Sequence, residues 1–231
     1  MRILFVAAAK MEYSGVLPFA AAVRSPRLKV DWAREARLAA HVVLLAANGA
    51  GAARAAAAVD AACDGFHPDA VVSTGFCGAL DPALTVAAVV VATFVSGPDG
   101  DYPALPVSSP SAFCAGSVRS IGHVARTAEE KRLLRETGAC AVEMEAAGVA
   151  ARARQRGLPF YCIRGVTDLA DETLQNDYNK TLRPDGHFDT ISILASALRN
   201  PVVRLPELVR LRRHCLLASR ALGSFLADCK F

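Results

Sequence analysis

Residues 141–146, AVEMEA, and residues 158–168, LPFYCIRGVTD, decide the fold. The second stretch is a largely apolar run that stops at Asp168. Strands buried on both faces of a parallel sheet read this way, as continuous runs without alternation. The first stretch ends a short apolar run, ACAV at 139–142, and delivers Glu143 and Glu145 at the start of an expected helix. In open α/β sheets ligands bind outside the carboxyl ends of the strands. Acids at two such ends read as parts of one pocket. A third, Glu12, follows the N-terminal run ILFVAAA. Three carboxylates at three strand ends point to acid/base chemistry on a small polar molecule.

Working outward, further apolar runs lie at 2–9, 41–47, 69–74 and 86–95. Helical stretches separate several of them. Residues 51–63, GAARAAAAVDAAC, are Ala-rich and helix-favouring. Residues 127–137 open with Thr127 and carry Glu130 three positions on, a capping box, and stop at Gly138. A helix is expected over 143–156, stopped by Gly157 and Pro159. Two more are expected at about 188–199 and 206–228, divided by Pro201 and Pro206. The 28–47 region reads as a hairpin that adds antiparallel strands. The Pro/Gly/Ser-rich stretch 96–111, SGPDGDYPALPVSSPS, is expected to be mobile or to cap the site. This alternation predicts an α/β fold with a largely parallel core. Neither a repeat nor a long linker divides the 231 residues, so one domain over 1–231 is expected.

Composition narrows the function classes. Hydrophobic residues make up 53% and charged residues 21%, which supports a large core and argues against disorder. Net charge is only +4, and the basic excess sits in a C-terminal segment with Arg204, Arg210, Arg212, Arg213 and Arg220. Without a stripe of basic and aromatic residues, nucleic acid is disfavoured as a partner. The seven cysteines are odd in number and lack CxxC spacing, which fits free thiols in a reducing, cytoplasmic compartment. The five histidines form no HExxH or His/Cys cluster, so no metal is expected. The N-terminal run lacks a cleavage pattern and reads as a strand rather than a signal peptide. Residues 70–95 are long enough to span a membrane, but Gly75, Gly78, Asp81 and Pro82 interrupt them. Two buried strands joined by a turn is the better reading.

Two glycine turns follow strands: Asn48-Gly49-Ala50-Gly51, and Thr74-Gly75-Phe76-Cys77-Gly78. Each allows close approach of backbone to a ligand, and each alone is as readily a tight strand–helix connection. Neither is GxGxxG, and no Walker lysine is present. Glu143 and Glu145 pose a phase problem. Two residues apart on a helix, they diverge by roughly 200° and cannot share a pocket. Spacing alone does not say which faces inward.

The strand with Glu12, the NGAG turn at 48–51, STGFCGAL at 73–80, AVEMEA at 141–146 and the strand ending Arg164–Asp168 together resemble the nucleoside phosphorylase/nucleosidase superfamily. The nearest branch is that of the methylthioadenosine/S-adenosylhomocysteine nucleosidases. The resemblance implies a mixed, twisted central sheet flanked by helices, of phosphorylase/hydrolase type, and a homodimer. It implies cleavage of the N-glycosidic bond of a 5′-modified adenine nucleoside, with no cofactor. Glu12 matches the acid that activates the attacking water, and Asp168 the acid that protonates the purine. Glu145 matches the acid that grips ribose hydroxyls, and Met144 the residue against the ribose. Thr167 stands where a supporting Ser is usual. The backbone around Ala8, Ala50 and Gly75 is expected to line the pocket, and Tyr178 to reach it from the 169–187 loop.

Several positions depart from the family pattern. Where phosphorolytic relatives hold phosphate with an Arg and a Ser, this chain has Ser73 and Phe76. That favours water over phosphate as the attacking group, with phosphorolysis as the alternative. A non-catalytic nucleoside-binding protein is the rival from another class. Phe76 replaces a small hydroxyl residue, and SIGHVAR at 120–126 lacks the usual SGDxF. Residues 182–222 resemble the tail of a hopanoid-associated phosphorylase subfamily. That implies an adenosylhopane-type substrate and peripheral membrane contact through it.

Overall fold

The apolar runs become the strands of one mixed sheet, in a computed structural model that describes residues 1–231. The strands are β1 (Arg2–Ala7), β2 (Ala21–Arg24), β3 (Trp32–Leu38), β4 (His41–Ala47), β5 (Ala70–Ala79), β6 (Val89–Gly97), β7 (Gly100–Pro103), β8 (Cys114–Ser120), β9 (Ala139–Glu143) and β10 (Phe160–Asp168). The helices are α1 (Ala52–Phe66), α2 (Ala128–Arg135), α3 (Ala146–Gln155), α4 (Thr190–Ala197) and α5 (Pro201–Asp228). The sheet runs β10-β6-β8-β9-β5-β1-β4-β3-β2, with β7 paired to β6. Parallel pairing joins β1 to β4 and β5, β5 to β10, and β8 to β6 and β9. Because β10 pairs with both β5 and β6, the strands β5, β9, β8, β6 and β10 close into a ring. The β3–β4 hairpin extends the other end.

Alternation along each strand divides the core in two. Leu4, Val6, Leu44, Ala46, Cys162 and Val166 face one side with α1 and α3. Ile3, Phe5, Leu45, Tyr161 and Ile163 face the other, under Leu222, Phe225 and Leu226 of α5. No helix of the protein is long and apolar enough to cross a membrane, and residues 70–95 form β5 and β6 as read.

Four expectations need correction. Residues 143–145 precede their helix, which starts at Ala146. Pro206 does not start a helix but lies inside α5, which begins with Pro201 at its first position, where no N–H is needed. Buried Glu207 accepts the amides of Gln175 and Asn176, so tertiary contacts hold the turn that Pro206 weakens. Residues 96–111 do not cap the site; they carry the β6–β7 hairpin and a bridge from Ser108 to Lys230. At α2 only half of a capping box forms. The Thr127 hydroxyl accepts from the Glu130 amide, while the Glu130 carboxylate accepts from Arg126 instead of Thr127.

Helix α5 fixes the turn that carries Glu12. Ser219 Oγ accepts from Gly15 N at 2.8 Å, and it lies 3.0 Å from the carbonyl of Glu12, to which it donates. The backbones touch here because both partners lack a side chain. A Cβ on Gly223 would lie 1.9 Å from the carbonyl of Gly15. Gly223→Ala should therefore push α5 off this turn and cost about 1–3 kcal/mol. Urea denaturation should give a lower midpoint at unchanged slope; an unchanged midpoint would mean that the crossing is not tight.

Candidate active site

The ends of β1, β5, β9 and β10 meet around one cavity of about 330 Å3. Its lining is mostly apolar, but it includes Glu12, Glu143, Glu145 and Asp168. All four carboxylates are buried. The three acids read from the sequence as parts of one site do share it. Ala8, Ala50, Met144, Thr167, Phe76 and Tyr178 also line it. Gly75 does not. It lies behind Glu12, where a Cβ would come within 2.4 Å of Glu12 Oε1. Gly78 stands in the same relation to Asp168, with a Cβ position 2.8 Å from Oδ2. The two glycines of TGFCG thus each admit one carboxylate by absence of a side chain, and Gly78 also lines the cavity.

Backbone amides hold the acids in place. Glu12 Oε2 accepts from Ala9 N at 2.7 Å and Oε1 from Phe76 N at 2.8 Å. Phe76 therefore serves Glu12 through its amide, whatever its side chain. Glu145 Oε1 accepts from Gly51 N at 3.0 Å, which gives the NGAG turn its use. Glu143 Oε2 accepts from the amides of Glu145 and Ala146, each at 2.8 Å. With the helix starting only at Ala146, the expected divergence of Glu143 and Glu145 does not arise, and both face the cavity.

Beneath them lies Arg164, wholly buried in β10. Its guanidinium pairs with Glu143, stands 3.5 Å from Glu145 Oε2, and donates to Ser73 Oγ at 2.6 Å and Thr74 O at 2.9 Å. Ser73, expected at a phosphate position, is thus turned to Arg164. The sequence carried a signal for this arginine that went unused. A charge in the middle of a buried apolar strand must be paired.

At the other end of the cavity the Thr167 hydroxyl donates to Asp168 Oδ1 at 2.9 Å. Lys131 of α2 donates to Asp168 Oδ2 at 2.5 Å. Nothing in the charged run AEEKRLLR marked this lysine. Tyr178 packs edge-on to Phe188, and its buried hydroxyl has no partner in the protein. Leu211 and Cys215 of α5 and Ile193 of α4 complete an apolar wall that sequence reading missed. In 120–126, the residues that reach the cavity are His123, Val124 and Ala125, so the ring that this segment brings is the imidazole of His123 and neither Phe, Tyr nor Trp.

Burial pushes the Glu12 carboxyl up, against the amides of Ala9 and Phe76 and the charge of Arg164. Burial and the neighbouring Glu143 push Glu145 up to about 8, with Arg164 opposing. Burial also raises Asp168, which Lys131 and Thr167 draw back down. Glu145 can thus hold a proton near neutral pH, where the same group in water is ionised.

The model of the phosphorylase superfamily matches residues 33–123 and 118–187. The chain belongs to the phosphorylase superfamily. Within this superfamily, a 5′-methylthioadenosine/S-adenosylhomocysteine nucleosidase of Staphylococcus saprophyticus is 30% identical over 164 residues, covering 58% of this chain and 72% of that protein. A protein of the same name from Staphylococcus aureus is 29% identical over 160 residues, covering 56% and 69%. Among solved structures, the nucleosidase of S. pneumoniae with the transition-state inhibitor MT-ImmA superposes with a TM-score of 0.68 at 19% identity, covering 96% of this chain and all of that one. Futalosine hydrolase of Helicobacter pylori gives 0.69 at 17%, covering 97% and 96%. The single α/β domain, with its mixed sheet between helices, is therefore the phosphorylase/hydrolase-like fold of this superfamily.

Glu145 gives the site a pH signature. Its folded pKa of about 8 exceeds the ordinary 4.5. Between those values the unfolded chain releases a proton that the folded chain keeps, so stability falls as pH rises and levels off above about 8. Glu145→Gln removes that loss while keeping the acceptor for Gly51. Its Tm advantage over the wild type should grow from pH 5 to 8 and then stay flat, by roughly 2–4 °C per kcal/mol. A difference that does not vary with pH would mean that Glu145 is ionised throughout.

Proposed function

We propose that this protein cleaves the N-glycosidic bond of a 5′-modified adenine nucleoside with water and releases adenine. The observation that carries the reading is that Glu12, Glu145 and Asp168 line one cavity. The curated relatives, 5′-methylthioadenosine/S-adenosylhomocysteine nucleosidases, support it. Breaking such a bond builds positive charge on the sugar and negative charge on the base. A protonated Asp168 delivers its proton to purine N7, so the base leaves neutral. Glu12 takes a proton from the water whose oxygen bonds to C1′ as the C1′–N9 bond breaks. This is the acid and base division of labour of glycosidases, applied to an N-glycoside. Glu145 accepts from the ribose hydroxyls, and Met144 lies against the sugar. Thr167 supports Asp168, and Ala8 and Ala50 close the walls.

Water is favoured over phosphate by the charges. The cavity lining carries four acids and neither Lys nor Arg. The guanidinium beneath, Arg164, is already engaged by Glu143, Ser73 and Thr74. A phosphate dianion would meet carboxylates with no free cation to hold it. The apolar wall from Leu174, Phe188, Ile193 and Leu211 suits an apolar 5′ group, from methylthio to a polycyclic hydrocarbon of the adenosylhopane type. With such a substrate the arginine-rich face of α5 would meet an anionic membrane surface from the cytoplasm. We place the enzyme there as a homodimer.

The test is release of free adenine from methylthioadenosine, S-adenosylhomocysteine and an adenosylhopane analogue, with and without phosphate. Adenine and free ribose product should appear without phosphate. Asp168→Asn and Glu12→Gln should each lose at least about 10²-fold in turnover with the fold intact. Adenine only with phosphate, alongside the sugar 1-phosphate, would make the protein a phosphorylase. Tight binding without adenine release would make it a nucleoside-binding protein.

A further inference from the structure

Helix α2 buries a lysine that its own sequence gives no reason to bury. Lys131 is 0% exposed, in a helix otherwise rich in solvated charge. Its Nζ donates to Asp168 Oδ2 at 2.5 Å, to Leu169 O at 2.7 Å and to Glu172 O at 3.3 Å. An ammonium has three N–H donors, and here each has an acceptor. Asp168 is gripped asymmetrically as a result. Oδ2 meets the cation and the backbone of Gly78, with no room for a Cβ between them. Oδ1 meets only the Thr167 hydroxyl, at 2.9 Å. A carboxylate oxygen has two lone-pair positions, so Oδ1 keeps one open.

We propose that Lys131 is a positioning residue for the reaction proposed above: it anchors Asp168 through Oδ2, so that Oδ1 is the oxygen that shares a proton with the bound base. The inference rests on that functional reading. Lys131 approaches from outside the cavity lining, so it touches Asp168 and not the ligand space. It also ties α2 to the first carbonyls after β10, which fixes where the strand releases its acid.

The groups around Asp168 make the consequence for pH specific. Cys77 and Gly78 of β5 and Thr167 of β10 pack against it, with Cys215 of α5 and with Glu172 and Tyr178 of the following loop close by. His214 of α5 bonds to the Thr167 carbonyl, and Arg210 is spent on Glu172. Lys131 alone brings a positive charge into hydrogen-bond contact. Only a protonated Asp168 can donate, so the rate falls as pH rises through its pKa. Removing the ammonium raises that pKa and moves the fall to higher pH.

The experiment compares the full-length wild type with Lys131→Met, Lys131→Arg, Asp168→Asn and the Lys131→Met/Asp168→Asn double variant. It measures kcat and KM for methylthioadenosine across pH 5–10. Lys131→Met should lower maximal kcat at least about tenfold, consistent with misplacement of a catalytic group. KM should change less than about threefold. The alkaline limb should rise by about 1–3 pH units, while Lys131→Arg keeps it near the wild type. In the Asp168→Asn background the same change should cost less than about twofold. An unmoved limb, or an equal loss in both backgrounds, overturns the proposal. Should Lys131→Met fail to fold, Lys131→Gln carries the same expectation, because it keeps two N–H donors without the charge. The Asp168 carboxyl is also titrated by 13C NMR, assigned against Asp168→Asn. Its upward shift in the variant is read without turnover. If the wild type releases no adenine, the functional reading fails while this titration still decides whether Lys131 governs Asp168.

Discussion

One buried guanidinium organises the structure. Arg164 sits inside β10 and reaches the backbone of β5 at Thr74, the hydroxyl of Ser73, the end of β9 at Glu143 and the following turn at Glu145. Those are the places where the ring of strands closes. Arginine suits the task because its planar fork serves several acceptors at once, which a lysine's point charge does not. Burial opposes the cation, but Glu143 foremost among its neighbours holds Arg164 charged. The arithmetic of charge then sets the rest. One cation faces Glu143, Glu145 and Glu12, and a buried group left with an uncompensated charge is costly. Burial and the neighbouring Glu143 raise Glu145 to about 8, and burial raises Glu12 as well. The chemistry of the cavity follows from how its floor is neutralised.

The carboxylates are held by backbone, not by flexible partners. Glu12 spans Ala9 N and Phe76 N, Glu145 takes Gly51 N, and Glu143 takes two amides of its own turn. Such groups need little reorganisation when charge develops beside them. The glycine turns make this geometry possible. Gly51 and Gly75 have φ of +106° and +124°, a region that side-chain-bearing residues rarely enter. At Gly75 the conformation and the close approach of Glu12 coincide, so the residue is required twice over.

Much of this was legible in the sequence because buried parallel strands leave a strong mark. β1, β4, β6 and β10 each began as an apolar run, and the β3–β4 hairpin was visible too. The ring was not, because the pairings of β10 with β5 and β6 join segments far apart in the chain and leave no local trace. The phase of Glu143 and Glu145 was hidden for a different reason. It depends on whether the helix starts at 143 or at 146, and the N-cap residue, Glu145, makes no side-chain cap of its own that would mark the boundary. Pro206 misled because a helix tolerates proline in its early turns when tertiary contacts hold it, as Glu207 does here. Lys131 was invisible in principle. In AEEKRLLR it looks like its solvated neighbours, and only the fold puts Asp168 within its reach.

The same electrostatics bears on the choice of attacking group. A site that takes up an anion needs a cation or a row of free amides with charge to spare. Here the amides nearest Glu12 are already donating to it, and Arg164 is enclosed by its own partners. An anion entering beside Glu12 would add to a set of carboxylates already short of compensation, and at about 4 Å each such repulsion costs about 1–4 kcal/mol in polar surroundings. Water brings no charge and finds in Glu12 an acceptor for its proton. Losing that proton to Glu12 is also easier because burial has raised the basicity of the carboxylate. In the proposed reaction, the feature that disfavours phosphate is therefore also the one that would activate water. Both follow from enclosing Glu12, Glu143 and Glu145 over Arg164, which is wholly buried and engaged by its own partners.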